Sequence, residues 1–366
     1  MMIHNVAIVG VGLIGASLGL GLKDNHKIEK VVGIDQNPHH LQQALDIEAI
    51  DETADIKKGV QAADLVVVAV PVGSIKSVVD EVLKYAKAGT IITDVGSTKS
   101  NLVQDLEHKS ATKDCIYIGG HPMTGSEVSG PIAADKYLFE NAIYVLTKTE
   151  QTDQASLDEL QQLVEGLGAQ SLIISPEHHD QTVAVTSHLP HLVAVNLMKT
   201  ASEYEVDDEL ITSLIAGGFR DTTRIAAGDP EMWKDIFLNN RELVLNAVEV
   251  FEDKLADFKE MINQASAEEL ETDLEETRQA RRELPMKKKG LLASNFELIL
   301  TLPDEPNAIG QAATLLGEAG INIQDIEVLK VRDDGGTIRL SFKQEEEQEQ
   351  AYRLLKENNY KVVKKQ

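Results

Sequence analysis

The sequence predicts an α/β chain in three parts: a doubly wound parallel sheet, an all-α region, and a small β-α-β-β-α-β unit. Three observations carry this reading. Short β-branched runs alternate with helical patterns up to about residue 175. From there to about residue 285, apolar residues recur at helical spacing with no convincing strand. Beyond a Pro-, Gly- and Lys-rich break, strand and helix patterns return in a new order. Near-continuous apolar strands separated by helices are strands buried on both faces, as crossover connections in a parallel sheet require.

The candidate strands of the first part are NVAIVG (5–10), KVVGID (30–35), DLVVVAV (64–70), TIITDV (90–95), CIYIGG (115–120), AIYVLT (142–147) and QSLIIS (170–175). Helical patterns such as IGASLGLGLK (14–23), SIKSVVDEVLKYA (74–86) and DQASLDELQQLVEGLG (153–168) lie between several of them. Ser175 then reads as an N-cap with Pro176 in the first turn, which opens the helical part. Its longest stretch, EMWKDIFLNNRELVLNAVEVFEDKLADFKEMI (231–262), has the spacing of helices that pack on other helices, and predicts a dimer core rather than a lone bundle. LPMKKKGLLASN (284–295) reads as linker. NFELILTL, NAIGQAATLLGEAG, INIQDIEVLKV, GTIRLSF, EEEQEQAYRLLKENN and YKVV then spell the ferredoxin-like split motif. The expected domains are therefore 1–175, 176–285 and 296–366, with 286–295 as linker.

A net charge of −25 speaks against nucleic acid as a partner, because phosphate binding needs a basic face. The longest apolar run, LVVVAVPV (65–72), is too short to cross a bilayer. The single cysteine, Cys115, permits no intrachain disulfide and points to the cytoplasm. An anionic substrate would need few, concentrated positive contacts, since the overall field repels it.

VAIVGVGLIG carries Gly10, Gly12 and Gly15 as G-x-G-x-x-G after a strand and at the start of a helix, with Leu13 and Ile14 inside the motif. This is the Rossmann-type fingerprint for a dinucleotide pyrophosphate. The second strand ends in Asp35, placed to accept from a ribose 2′-OH and to repel a 2′-phosphate, and QNPHH after it supplies no Arg or Lys. The predicted cofactor is NAD rather than NADP. Ligands of open parallel sheets bind at the carboxyl ends of the strands. That rim should carry Val70 and Pro71, the DVGSTK loop (94–99) with Ser97, and His121 after the fifth strand. An imidazole titrates near neutral pH and suits the proton removal that accompanies hydride loss from an alcohol. The competing reading is a structural histidine tying down a Gly-rich loop. Ser97 could hydrogen-bond the hydroxyl, the cofactor amide or the imidazole, or simply cap its own loop.

In the helical part TSHLPHLVA places His188 and His191 on one face of a helix disturbed by Pro190. Without a third ligand they suit an anion better than a metal, and no metal site is expected. Arg220 and Arg224 are the only basic residues between positions 200 and 233. They are candidates for bidentate carboxylate binding, or else partners of Asp221 and Asp229.

Together GVGLIG, DVGSTK, GGHPMTGSEVSG, SHLPH and GGFRDTTRIAAGDPEMW resemble the prephenate dehydrogenases across nearly all of the first two parts. The tail resembles an ACT domain, an amino-acid-binding regulatory module. Many ACT domains have Gly just after the Pro of DEPNAIGQ, where this chain has Asn307. The resemblance implies NAD-dependent oxidative decarboxylation of prephenate to 4-hydroxyphenylpyruvate on the route to tyrosine, by a homodimer joined through the helical part. It implies that His121 takes the proton with Ser97 in support, that Arg224 and His191 hold carboxylates, and that His188 lines the pocket. Ser126, Glu127 and Asp221 would shape polar contacts or access, and Trp233 would help close the site. In the tail it implies Asn307, Asn322 and Ile323 as contacts for a regulatory ligand, with tyrosine as effector. An arogenate dehydrogenase differs only in the substrate side chain. A hydroxyacid or imino-acid reductase would carry a catalytic Lys motif, absent around Lys199. A non-catalytic amino-acid sensor would use the tail alone.

Overall fold

The computed structural model describes residues 3–25, 27–125, 128–204, 214–283, 296–303, 305–332 and 335–364. The expected linker and the candidates Ser126 and Glu127 lie outside these described residues. Residues Met1–Leu284 form one compact unit and Pro285–Gln366 a second.

In the first unit, strands β1 (Asn5–Val9), β2 (Lys30–Ile34), β3 (Glu52–Thr53), β4 (Leu65–Val68), β5 (Ile91–Asp94) and β6 (Ile116–Ile118) form a parallel sheet of order β3-β2-β1-β4-β5-β6. Helices α1 (Leu13–Lys23), α2 (Pro38–Asp46), α3 (Ile56–Gln61), α4 (Val72–Val82) and α5 (Ser100–Ala111) connect them. Side chains of β1 alternate between two apolar cores: Val6 and Ile8 enter one, Ala7 and Val9 the other. That is the packing of a sheet covered on both faces, and each such fully buried aliphatic side chain stabilises the fold by roughly 1.5–3 kcal/mol.

The sequence-based expectation of one sheet for all seven candidate strands needs correction. The residues after β6 turn into a separate three-stranded sheet of β7 (Gly120–Pro122), β8 (Ile143–Thr147) and β9 (Gln170–Ile174), in which β7 runs antiparallel to β8. Helix α6 (Gln154–Gly166) connects β8 to β9 and gives Leu157, Leu160 and Leu163 to the first core. His121 therefore lies within a short strand, paired with Val145, and not in a loop following the fifth strand. The break is local: a Cβ on Gly120 would lie 2.6 Å from the Asp94 carbonyl oxygen. Only glycine lets β7 press so closely on the end of β5 while the chain changes direction.

The helical part begins at α7 (Pro176–Val183), capped by the Ser175 side chain accepting from the His178 N–H. It passes through one wide π turn (Ala184–His188) into α8 (Leu189–Tyr204). The Leu189 N–H bonds the Ala184 carbonyl, five residues back. Pro190 explains the widening, since it has no N–H and its ring crowds the carbonyl four residues earlier. Then come α9 (Gly217–Thr223), a 3₁₀ turn (Arg224–Ala227), α10 (Pro230–Asn239), α11 (Arg241–Asn263) and α12 (Ala267–Glu283). The long apolar stretch is thus two helices, α10 and α11. Leu245, Val250, Leu255 and Ile262 of α11 are exposed in this single chain.

The second unit contains β10 (Phe296–Leu302), α13 (Ala308–Glu318), β11 (Asp325–Arg332), β12 (Gly335–Phe342), α14 (Glu345–Glu357) and β13 (Lys361–Lys364). Its sheet is antiparallel, in the order β11-β12-β10-β13. Leu298, Leu300 and Leu302 alternate inward and pack with Leu316 and Leu355 of the two helices.

Candidate active site

The glycine loop between β1 and α1 has the shape a pyrophosphate requires. Gly10 has φ +94°, and a Cβ there would lie 2.3 Å from the Ala69 carbonyl oxygen. Over Gly12, by contrast, an added Cβ would meet nothing within 4 Å, so the backbone is open to a ligand. No side chain caps the first turn of α1, which starts at Leu13 and Ile14 and buries Gly15, and its N–H groups are left to bind an anion. Asp35 follows β2, with Oδ2 accepting from the Val11 N–H at 2.9 Å and Oδ1 from the Asn37 N–H at 2.8 Å. Those bonds fix the carboxylate beside the glycine loop. His40 Nδ1 lies 3.8 Å from Asp35 Oδ2. Val70 and Pro71 sit between β4 and α4, with Pro71 at the N-cap of α4. The residues present fit an NAD molecule.

Beside this rim the structure assembles a buried polar cluster. Asp94, at the end of β5, is fully buried and bonded by Lys99 Nζ, by the Tyr117 hydroxyl at 2.8 Å, and by the N–H groups of Gly96 and Gly120. Lys99 is also fully buried, and burial pushes its ammonium down while Asp94 pulls it back up. Ser97 lies half-buried on the same loop.

His121 faces this cluster. Its Nδ1 is 2.8 Å from His179 Nε2, with the rings edge-on at 5.0 Å between centroids. His179 Nδ1 is 2.7 Å from Asp180 Oδ1, and both residues are almost wholly buried. Asp180 also accepts the Lys99 and Ser100 N–H groups at 2.8 Å each, so it caps α5 from another helix. These bonds, with burial opposing them, hold its carboxyl below the usual range. The bonding fixes the tautomers. An ionised Asp180 can only accept, so His179 donates to it from Nδ1, and with a single proton on its ring it offers a lone pair at Nε2. His121 then donates from Nδ1, which leaves its own Nε2 lone pair available. Burial holds His121 well below the ordinary imidazole value, and the neighbouring His179, Lys99 and His188 add to that.

His188, buried on the π turn, accepts from the Asn240 amide at 3.2 Å, while the same amide donates to the Asp180 carbonyl at 2.9 Å. Burial pushes His188 down to about 4. Its ring stands edge-on to Trp233 at 6.2 Å, and Trp233 stacks on His191 at 3.6 Å. Burial lowers His191, while a hydrogen bond to the Ile225 backbone raises it. Its Nδ1 has no hydrogen-bond partner among the described residues. Ile225 follows Arg224 on the 3₁₀ turn, so the His191 bond anchors the segment that presents that guanidinium. Arg220, Asp221 and Arg224 are exposed. The helix ends at Thr223, so the two arginines do not share one regular helical face.

Of the expected site residues, then, His121, His188, His191, Trp233 and the Arg224 turn fall along one series of neighbours, and Ser97 lies on the loop between Asp94 and Lys99. In the second unit Asn307 adopts φ +70° at the start of α13 and borders a cleft of about 390 Å³ with Gln311, Glu318 and Tyr360. Asn322 and Ile323 do not line that cleft. The sequence reading did not single out Asp94, Lys99, Tyr117, His179, Asp180 or Asn240. The one available signal was the HHD run at 178–180, three polar residues in the first turns of a helix that must otherwise dock on a sheet.

The fold and site define an NAD-dependent dehydrogenase, with a glycine-loop cofactor site beside a cluster of buried polar residues at the sheet rim. Residues 18–173 match the family model for the prephenate dehydrogenase nucleotide-binding domain, and 175–276 that for the prephenate dehydrogenase dimerization domain. The chain is 34% identical to the prephenate dehydrogenase of Bacillus subtilis over 96% of this chain and 95% of that one. It is also 34% identical to that of Lactococcus lactis, over 98% and 99%. A crystal structure of Aquifex aeolicus prephenate dehydrogenase with hydroxyphenyl propionate and NAD+ superposes with a TM-score of 0.73 at 35% identity, covering 78% of this chain and 99% of that chain. This chain belongs to the prephenate dehydrogenase family, and it is an NAD-dependent oxidoreductase.

Proposed function

We propose that the chain converts prephenate to 4-hydroxyphenylpyruvate and CO2 with His121 as the proton acceptor and the Arg224–His191–Trp233 group as the substrate-holding side. The observation that carries this is the chain of contacts from Asp180 through His179 to His121 Nδ1, which turns Nε2 of His121 away from its His179 partner. NAD+, held by the Gly10–Gly15 loop and Asp35, supplies the hydride acceptor. His121 takes the ring hydroxyl proton, and Ser97 steadies that oxygen or the imidazole. The oxygen, becoming a carbonyl, is conjugated with the carbon bearing the ring carboxylate, so the electrons of the breaking C–C bond flow into the ring and aromatise it. Arg224 binds a substrate carboxylate, His191 joins it by taking a proton on Nδ1 as the dianion binds, Trp233 packs against the ring side, and His188 closes the wall between them. Ser126, Glu127 and Asp221 shape polar contacts at the entrance. The protein's task is to orient a dianion and accept one proton.

The domains read as 1–175 for cofactor, 176–285 for substrate and dimerisation, and 296–366 as an ACT-type regulatory module joined by 286–295. The β-α-β-β-α-β order of the tail and the left-handed Asn307 support the last reading, with tyrosine as its ligand in the cleft beside Asn307 and not at Asn322 and Ile323, which lie outside that cleft. The exposed apolar residues of α11 support a homodimer. NADH release with prephenate and arogenate side by side tests the assignment. His121→Asn should lose roughly 10²–10⁴-fold in kcat while still binding NAD. Arg224→Ala should raise KM for prephenate by roughly tenfold to a hundredfold, the value of a charge-assisted pair. Undiminished turnover in the first variant, or unchanged KM in the second, overturns the corresponding role.

A further inference from the structure

In the scheme so far His179 only orients His121, yet it is nearly inaccessible and bonded at both ring nitrogens. We propose that the proton taken from the substrate does not rest on His121. It enters at His121 Nε2 while the proton on Nδ1 of the same ring crosses to Nε2 of His179, so the positive charge settles on the His179–Asp180 pair. This rests on His121 being the base and goes beyond it, making His179 a relay residue.

Geometry permits the transfer without any side-chain movement. The two nitrogens that exchange the proton are 2.8 Å apart, and the Asp180 oxygen that would stabilise the product is 2.7 Å from the other side of His179. Protons balance at each step: one N–H bond forms on His121 as its opposite N–H breaks, and one N–H bond forms on His179. Electrons move only from substrate to NAD+, as the established reaction already requires. After product departs, the shift reverses, and His121 Nε2 releases the proton to water.

The surrounding charges favour this resting place. Among the described residues, the titratable and charged groups around the pair are Asp94 and Lys99 on the loop after β5, Tyr117 on β6, Tyr144 on β8, His188 on the π turn, and Asp180 itself. Asp94 and Lys99 are in direct contact and cancel. Burial keeps Tyr117 and Tyr144 protonated and His188 neutral. Asp180 is bonded by backbone N–H groups and by His179, not by a side-chain ammonium. A charge on His121 would be buried against a neutral ring, whereas a charge on His179 would face the Asp180 carboxylate at 2.7 Å.

The test is a proton inventory: kcat in mixtures of H2O and D2O, with prephenate deuterated at the carbinol carbon so that hydride transfer limits the rate. The native enzyme should give a downward-bowed curve, because two protons move together. His179→Gln should give a straight line, since the amide oxygen can still accept from His121 Nδ1 and orient the ring but cannot take its proton. Its kcat should fall by at least about tenfold, with KM for prephenate and for NAD changed by less than about twofold. The acid limb of its kcat/KM profile should move to lower pH, because the charge must then stay on His121, away from Asp180. A merely structural role would disturb KM and leave the inventory shape alone. A straight line for the native enzyme, or His179→Gln with native kcat, overturns the relay. If the variant does not fold, as read by circular dichroism, the native curve alone decides. Active His121→Asn would instead overturn the base assignment, whereas inactive His121→Asn beside a native-like His179→Gln would remove only the relay.

Discussion

Replacing Asp94 by Asn removes a charge and almost no volume, so it isolates what the buried ion pair does. Lys99 would keep its place beneath the site, wholly shielded from water, with its counter-charge gone. Breaking one side of a buried pair costs about 3–5 kcal/mol, because the remaining charge is uncompensated. The Asn oxygen can still accept from Gly96 or Tyr117, but its amide group cannot replace the second acceptor, so a further fraction of a hydrogen bond is lost. Part of the cost should be recovered at high pH. Burial already pulls Lys99 below its ordinary value with Asp94 present, and without Asp94 it must fall further. The unfolded chain then binds more protons than the folded one between the two values, so the variant's stability rises with pH across that interval. Trp233 is the only tryptophan and lies in the first unit, so its fluorescence during urea unfolding reports that unit. The double variant Asp94→Asn with Lys99→Met should regain most of the loss, as apolar replacement of buried pairs does. Stability within about 1 kcal/mol of native for Asp94→Asn, or no recovery in the double variant, would refute the argument.

Three further outcomes are expected. His188 is held near 4, against roughly 6.5 in the unfolded chain, so folding stability should be full above pH 6.5 and decline as pH falls through 6.5 toward 4. The share due to His188 is about 3 kcal/mol, beside those of His121 and His191, and His188→Asn should remove that share of the decline in urea titrations at fixed pH. Asp35→Ser removes the acceptor of the Val11 and Asn37 N–H groups and the repulsion toward a 2′-phosphate. KM for NAD should rise about tenfold and the preference over NADP should shrink; an unchanged NAD-to-NADP ratio of kcat/KM would move the discrimination elsewhere. Phe251→Asp with Leu255→Asp puts charge on two exposed apolar residues one turn apart on α11 and should convert dimer to monomer in light scattering, leaving the circular dichroism spectrum intact.

Local patterns in the sequence determined most of the architecture. The strand runs, the glycine motif and Asp35 carry their meaning in contiguous residues, because turn geometry and helix starts are set within a few positions. The same holds for Pro190, whose missing N–H disturbs the helix as expected and widens a turn into π form, and for Asn307, whose left-handed backbone Asn tolerates. The family resemblance, too, was carried by short ordered motifs.

What only the tertiary structure decided are the pairings across the chain. Nothing near Asp180 says that it caps a helix beginning eighty residues earlier, or that His179 meets a histidine on a short strand turned antiparallel to its neighbour. Nor does anything local distinguish Lys99 from a surface lysine; that it is buried follows from the sheet end, where Asp94 and Tyr117 converge. Backbone conformation is governed by neighbours in sequence, whereas protonation state is governed by neighbours in space, and the tautomer of His121 depends on a carboxylate two residues removed through hydrogen bonds.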